Sequence, residues 1–249
     1  MPAEDCAVRF EKVTKRFGSQ TVLDGVSFEV RQGSAFCLLG RSGTGKSVTL
    51  KHIIGLMKPD SGRVRVEGQD VSALSRRDLS RLRTRMGFLF QNAALFDSIS
   101  VGDNVAFPIR RHAKLAVSDV RDRVRQKLEE VGLEREAGKM PSELSGGMRK
   151  RVGLARAMAL DPSILLVDEP SAGLDPITAG EIDSLLSQLK SNRGTTLIIV
   201  THNIPSARRL GDELAVLHGG HLIARGPAQE LETSDHEVVR GFMRSEGGG

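Results

Sequence analysis

The chain has 249 residues, 39% of them hydrophobic and 27% charged, with a formal net charge of +5. That balance describes a folded globular protein, large enough for one big domain or a core carrying a lobe, and excludes a disordered or fibrous chain. No apolar run approaches the roughly 20 residues that cross a bilayer, and with no Trp or Tyr and 4% aromatics a base-stacking platform for single-stranded nucleic acid is not expected.

Met1 to Phe10 carries Glu4 and Asp5 and lacks the basic-then-apolar pattern of a secretory signal, so a cytosolic chain is expected, reaching a membrane only through a partner. Cys6 and Cys37 stand in no metal-ligand spacing. A disulfide between them is not expected in that compartment, and Cys37 reads as a small core residue. Val8 to Val13 alternates polar and apolar side chains, and Val26 to Val30 does so again, as strands with one buried face do. Gly33 turns the chain into Ala35-Phe36-Cys37-Leu38-Leu39, a short buried-type strand.

That strand runs into Gly40-Arg41-Ser42-Gly43-Thr44-Gly45-Lys46-Ser47, a G-x-x-x-x-G-K-S phosphate-binding loop, and a helix from Ser47 to Ile54 is predicted to leave it. Triphosphate oxygens carry dense negative charge. Consecutive backbone N–H groups at a helix N-terminus answer that charge with no side chain in the way. Lys46 is expected to reach the β- and γ-phosphates, and the Ser47 hydroxyl to bind Mg²⁺. The expected ATP-binding set is Gly40, Arg41, Ser42, Gly43, Thr44, Gly45, Lys46, Ser47 and Val48.

Pro59-Asp60-Ser61-Gly62 signals a turn, Arg63 to Glu67 alternates as a strand, and Gly68-Gln69 is read as its end. These short strands predict a small antiparallel sheet beside the nucleotide core. Arg76 to Arg85 is a charged helical stretch, and Met86 to Phe90 a buried-type strand that stops at Gln91. Val117, Val120, Val124, Leu128 and Val131 recur at helical spacing, with Ser118 a candidate N-cap, Gly132 a candidate stop, and an Arg- and Lys-rich opposite face read as solvated. Residues 92–160 are read as a helical lobe inserted into the core.

Ser163 to Val167 is a continuous apolar run, as in a parallel strand covered on both faces. It delivers Asp168 and Glu169 to the end of the strand, where parallel sheets place ligands. Asp168 is expected to hold Mg²⁺ and Glu169 to take a proton from the attacking water. Asp175-Pro176 reads as an N-cap with Pro at the first helical position, and Gly194 as that helix's end. Thr195 to Val200 is another buried strand. Leu214 to Leu217 and Leu222 to Ala224 flank Gly219-Gly220, a hairpin signal. A short helix is predicted from Pro227 through Phe242, followed by a disordered Gly247-Gly248-Gly249 tail.

Leu144-Ser145-Gly146-Gly147-Met148 lies between the phosphate loop and the acidic strand, with Arg149-Lys150-Arg151 behind it. Serine and two glycines opening a helix make a second anion site. In that order and place the motif resembles the signature of ATP-binding cassette (ABC) ATPases, although Met148 stands where Gln is usual. The resemblance extends from about Val8 to Arg225. It implies that Gln91 is the glutamine that meets Mg²⁺ or water and senses the transport partner. Likewise Asp175 is the acid of the D-loop, His202 the switch histidine at the γ-phosphate, and Phe17 the aromatic against adenine.

The fold this implies is α/β: a RecA-like parallel-sheet core with an antiparallel β-subdomain and an inserted α-helical subdomain. The expected ATPase domain is 7–226, with core and β-subdomain in 7–91 and 161–226, the helical subdomain in 92–160, and a tail in 227–249. The stretches Leu89 to Phe96, Asp103 to Arg110, Ser145 to Arg151 and Gly173 to Thr178 resemble the ATPases of Mla/Mce-type phospholipid transporters. The catalytic set implied is Glu169, His202, Gln91 and Lys46. The metal set is Ser47, Gln91 and Asp168, and Ser145, Gly146, Gly147, Asp175 and Phe17 complete the nucleotide contacts.

The expected working unit is a homodimer holding two ATP molecules, since in this family the signature of one protomer faces the phosphate loop of the other. The expected partners are a dimeric integral-membrane permease, with an Mce-domain substrate-binding protein and an accessory subunit on the helical lobe. No nucleic acid is expected. The location implied is the cytoplasmic face of a bacterial-type inner membrane. Two other readings share the motifs: an ABC ATPase for a non-lipid solute, and a non-transport ABC ATPase acting on nucleic acid or ribosomes. The latter usually carries long coiled-coil insertions or two cassettes, and this sequence has neither.

Overall fold

The computed structural model describes residues 5–244. Two long strands, β1 (Cys6–Phe17) and β2 (Gln20–Arg31), pair antiparallel. They run past the alternating segments read from sequence because β-bulges carry the pairing through their polar ends. With β4 (Ser61–Val66) and β5 (Gln69–Asp70) they form a sheet in the order β2-β1-β4-β5. Gly68 at φ 78° is a turn rather than a strand end, and Gln69 starts the short return strand, correcting the sequence reading.

The second sheet has six strands in the order β10-β9-β3-β8-β7-β6. Its members are β3 (Ala35–Leu39), β6 (Met86–Leu89), β7 (Ile164–Asp168), β8 (Thr196–Thr201), β9 (Glu213–His218) and β10 (His221–Gly226). All pair parallel except the β9–β10 hairpin, whose Gly219 and Gly220 take positive φ. Phe90 falls just beyond β6.

Alternate residues of the central strands feed two cores. Cys37, Leu39, Leu165, Val167 and Ile199 pack with the helices on one face. Phe36, Leu38, Leu166, Ile198 and Val200 pack with α1 (Lys46–Ile53) and the antiparallel sheet on the other. Because both faces are covered, these strands are apolar throughout. Cys6 and Cys37 are both buried free thiols, and burial pushes the Cys37 thiol up to about 12.

After α2 (Arg76–Thr84) and β6, residues 92–160 carry α3 (Val101–His112), α4 (Val117–Glu129) and α5 (Gly146–Ala157). Helix α3 contains Pro108, which hides its periodicity. Its start was nonetheless written in the sequence, since Ser100 Oγ accepts from the Asp103 N–H at 3.1 Å and donates to its carboxylate at 2.7 Å. Helix α4 begins with Ala116 at the cap position and no side-chain cap. Ser118 therefore lies inside its first turn, where its hydroxyl turns to Asp119. The basic face of α4 is not wholly solvated either. Lys127 is buried and pairs with Asp161 and Glu130, and Arg123 also meets Asp161.

Beyond β7, α6 (Pro176–Arg193) and α7 (Ile204–Leu210) lie in the chain on either side of β8. Gly194 closes α6 at φ 63°. The predicted C-terminal helix is two helices, α8 (Ala228–Glu232) and α9 (Glu237–Arg244), because the chain breaks at Thr233-Ser234. Gly247-Gly248-Gly249 lies outside the described residues.

Candidate functional site

Strand register builds the site. Leu39 pairs with Thr201 across β3 and β8, and Asp168 pairs with Val200 across β7 and β8. The residues that follow, Gly40, His202 and Glu169, therefore emerge side by side at the carboxyl edge of the sheet, the edge where parallel sheets bind ligands.

Gly45 caps α1 at φ 105°, and a Cβ there would lie 3.0 Å from Val22 and Leu23. Only glycine lets the loop turn into the helix under β2. The Lys46 ammonium is buried. It donates to the carbonyls of Gly40 at 2.8 Å and Arg41 at 3.1 Å, and lies 3.2 Å from Glu169 Oε1. It is thus held inside the curl of the loop, where an anion can exchange with weaker acceptors.

Ser47 Oγ donates to Asp168 Oδ1 at 2.9 Å. Burial raises the Asp168 carboxyl, and the Ser47 hydrogen bond only partly offsets this. A hydroxyl and a partly desolvated carboxylate are hard oxygen donors of the kind a small divalent cation takes. The described residues hold no group of three or more His, Cys, Asp or Glu side chains placed to cage a metal.

Glu169 follows directly. Its backbone takes φ 47°, an uncommon value for a residue with a Cβ. Its Oε2 accepts from Thr201 Oγ1 at 3.0 Å and from the His202 N–H at 3.2 Å, and lies 2.9 Å from His202 Nδ1. The carboxylate is buried while the His202 ring is about half exposed, so the ring is free to meet a ligand from the solvent side.

Ser145 caps α5, accepting from the Met148 N–H at 3.2 Å and leaving its O–H free to donate. Gly147 sits against α6, where a Cβ would lie 2.4 Å from Thr178 Cγ2. Asp175 caps α6. It accepts from the Ile177 and Thr178 N–H groups at 3.0 Å and from Thr178 Oγ1 at 2.6 Å, which holds its exposed carboxyl below the usual range. The signature and Asp175 are therefore neighbours through Thr178.

Gln91 is exposed just past β6. Phe17 ends β1 with 45% of its surface exposed and Lys15 Nζ 5.6 Å from its ring centre, so one apolar face is available for stacking. The structure brings Lys46, Ser47, Asp168, Glu169 and His202 into one cluster through the contacts above. Ser145, Gly147 and Asp175 gather where the N-termini of α5 and α6 meet.

Three contributors escaped the sequence reading. Thr201, the residue before His202, donates to Glu169. Lys150 donates to the carbonyls of Glu169, Pro170 and Ala172 at 3.0, 2.8 and 2.9 Å, and burial lowers its ammonium to about 8. Its signal was available: it lies three residues after Gly147 and four before Leu154, on the buried stripe of α5. Arg156 donates to the carbonyls of Ala93 at 2.6 Å and Ala94 at 2.7 Å, two successive non-glycine residues at positive φ just after Gln91.

Residues 23–172 match the sequence model of the ABC transporter family. The chain is 45% identical over 95% of its length to the probable ribonucleotide transport ATP-binding protein mkl of Mycobacterium leprae, spanning 68% of that protein, and 66% of its Mycobacterium tuberculosis counterpart. It is 41% identical over 97% of its length to the intermembrane phospholipid transport system ATP-binding protein MlaF of Haemophilus influenzae, spanning 92% of it. Among solved structures it resembles cbiO1 of Clostridium perfringens, part of the ABC transporter complex cbiONQ, with TM-score 0.84, 32% identity and coverage of 96% and 94% of the two chains. A dimeric ATP-binding cassette, MJ0796, bound to ADP and Pi matches with TM-score 0.82 at 32% identity over 88% and 98%.

Proposed function

This chain belongs to the ABC transporter family and is an ATP-binding, ATP-hydrolysing subunit of such a transporter, and from that premise we propose that it drives the movement of phospholipid across or out of a membrane. The observation that carries the chemistry is the meeting of two motifs 121 residues apart, Ser47 Oγ on Asp168 Oδ1 at 2.9 Å, beside the Lys46–Glu169 contact.

In this reading the backbone N–H groups of the Gly40–Ser47 loop cradle the phosphates, and Lys46 leaves its carbonyl acceptors for the β- and γ-phosphate oxygens. Ser47 and Asp168, with Gln91 two residues past the end of the neighbouring strand β6, would hold Mg²⁺. When bound, the ion supplies charge neutralisation at the phosphates. Glu169 accepts the proton of the attacking water, and Thr201 and the His202 N–H keep its carboxylate aimed. His202 senses the γ-phosphate from its exposed side, and Phe17 stacks on adenine. Ser145, Gly146 and Gly147, with Asp175, meet the nucleotide of a second copy, so the working unit is a homodimer.

The core with β-subdomain, residues 7–91 and 161–226, binds nucleotide, and residues 92–160 receive the permease. A cleft of about 520 Å³ lies where these meet, lined by Phe88, Phe90, Phe96, Phe107, Arg83 and Arg111 among others. Phe96 and Phe107 are about half exposed with ring centres 4.9 Å apart, a surface suited to an amphipathic helix from a membrane partner. No helix among the described residues is long and apolar enough to cross a membrane. In this reading the chain sits at the cytoplasmic face of an inner membrane through the permease, as a subunit of a transporter would, with an Mce-domain protein and an accessory subunit in the same assembly.

The phospholipid transport named for MlaF supports the lipid reading. The ribonucleotide transport named for the mycobacterial relatives keeps a second solute class in view. Tagging the chain in its own cells, extracting membranes in mild detergent and identifying what co-purifies separates them. A permease with an Mce-domain protein and bound phospholipid is expected. A permease with neither would overturn the lipid assignment and leave the ATPase intact. Recovery only with nucleic acid or ribosomes would overturn transport itself.

A further inference from the structure

We propose that Lys150 is a positioning residue for Glu169: it ties the signature end of α5 to the backbone that carries the proton acceptor, and so links the two ATP sites of a dimer. The inference rests on the reading of Glu169 as proton acceptor and of Ser145-Gly146-Gly147 as the contact for the partner's nucleotide.

The geometry is specific. An ammonium has three N–H donors, and those of Lys150 find three carbonyls, of Glu169, Pro170 and Ala172, between 2.8 and 3.0 Å. The residue is buried, with 6% of its surface exposed. A buried cation is costly compared with an apolar side chain of similar length, and is tolerated when every donor is used. Here the donors are spent on one short segment, the stretch that leaves β7 and leads to Asp175.

That segment needs holding. Glu169 stands at φ 47°, a conformation a side chain with Cβ disfavours unless its surroundings fix it. Its carboxylate is fixed from β8 by Thr201 and from α1 by Lys46. Its carbonyl is fixed from α5 by Lys150. Removing Lys150 leaves the first grip and frees the second, so the carboxylate stays in the site while its aim drifts.

Helix α5 supplies the link. Ser145 caps it and Lys150 lies little more than one turn further on, so a rigid first turn passes displacement from one to the other. When the signature closes on the partner's ATP, Lys150 carries that movement to the carbonyl of its own Glu169. Each protomer then hydrolyses in register with the nucleotide it grips for its partner. Such coupling is a free energy shared between two sites and appears as cooperativity in ATP.

The test measures hydrolysis of MgATP by the transporter complex in detergent, with wild-type chain and with Lys150→Met, Lys150→Gln and Lys150→Arg. Lys150→Met is expected to lower kcat at least about tenfold, as misplacement of a reacting group does, with KM for ATP changed less than about twofold. The Hill coefficient is expected to fall toward about 1. Lys150→Arg, which keeps a cationic multiple donor, recovers most of the rate. If Lys150→Met does not fold by circular dichroism, Lys150→Gln, with two N–H donors, carries the same readouts.

Wild-type kcat in a folded Lys150→Met or Lys150→Gln complex overturns the inference, and so does a fall in kcat with cooperativity unchanged. Glu169→Gln, measured alongside, tells the two failures apart. Wild-type turnover in that variant removes the reading of Glu169 itself, whereas silent Lys150 variants beside an inactive Glu169→Gln remove only the role of Lys150.

Discussion

The Lys46 ammonium lies 3.2 Å from the Glu169 carboxylate, and both side chains are more than nine-tenths buried. Each is the other's counter-ion in a site where an unpaired charge is expensive. In the proposed mechanism ATP changes this pairing: phosphate oxygens take Lys46, and Glu169 is released toward water.

Glu169→Gln removes the negative charge beside Lys46 while keeping an acceptor for Thr201. ATP affinity is expected to be unchanged or tighter, and kcat to fall about 10²-fold or more, as for loss of a general base. A closed dimer should accumulate with MgATP, measured by size-exclusion chromatography with light scattering. Near-normal turnover would exclude Glu169 as the proton acceptor.

Lys46→Ala deletes a donor to the Gly40 and Arg41 carbonyls as well as the cation for phosphate. A hydrogen bond to a charged group is worth about 1.5–3 kcal/mol, so ATP affinity should drop roughly 10- to 100-fold. Titration of a fluorescent ATP analogue reads this directly, and unchanged affinity would contradict the placement of phosphate in this loop.

Arg156→Ala leaves the Ala93 and Ala94 carbonyls without their guanidinium, and Phe96 without the cation 5.9 Å from its ring centre. The cost to stability is expected to be about 1–3 kcal/mol. Arg156→Lys should restore only part of it, because an ammonium lacks the fork that reaches two carbonyls at once. Urea unfolding of the two variants checks this.

Asp161 receives Lys127, Arg123 and Arg193, joining α4, the segment before β7 and α6. Burial raises its carboxyl, but the Lys127 hydrogen bond and the surrounding cations outweigh that and hold it below the usual range. A depressed carboxyl stabilises the fold above its unfolded-state pKa and loses that contribution as pH falls through its folded value. Asn tolerates the φ of 49° found here, so Asp161→Asn isolates the charge. The stability gap between wild type and variant should be steady at neutral pH and close as pH drops below the ordinary carboxylate range, followed by urea midpoints across pH. A gap that persists in acid would assign the effect to shape rather than charge.

By itself the sequence determined the phosphate loop, the acid-bearing strand, the cap at Asp175 and the hairpin at Gly219-Gly220, because each is a local device whose spacing is its geometry. It also placed the buried strands, whose unbroken apolar runs follow from two covered faces. What it left open depends on partners far away in the chain. Helix α3 was hidden by Pro108, and the lengths of β1 and β2 were set by pairing across bulges. Lys127 read as a solvated cation, and Lys150 and Arg156 were given no role, because spacing can put a charged side chain on a buried stripe but cannot name the partners that would receive it there. Only the tertiary structure supplied the carboxylates and backbone carbonyls that make burial tolerable. It alone brought Ser47 to Asp168 and Thr201 to Glu169, because parallel register, which no local pattern encodes, sets which strand ends stand side by side.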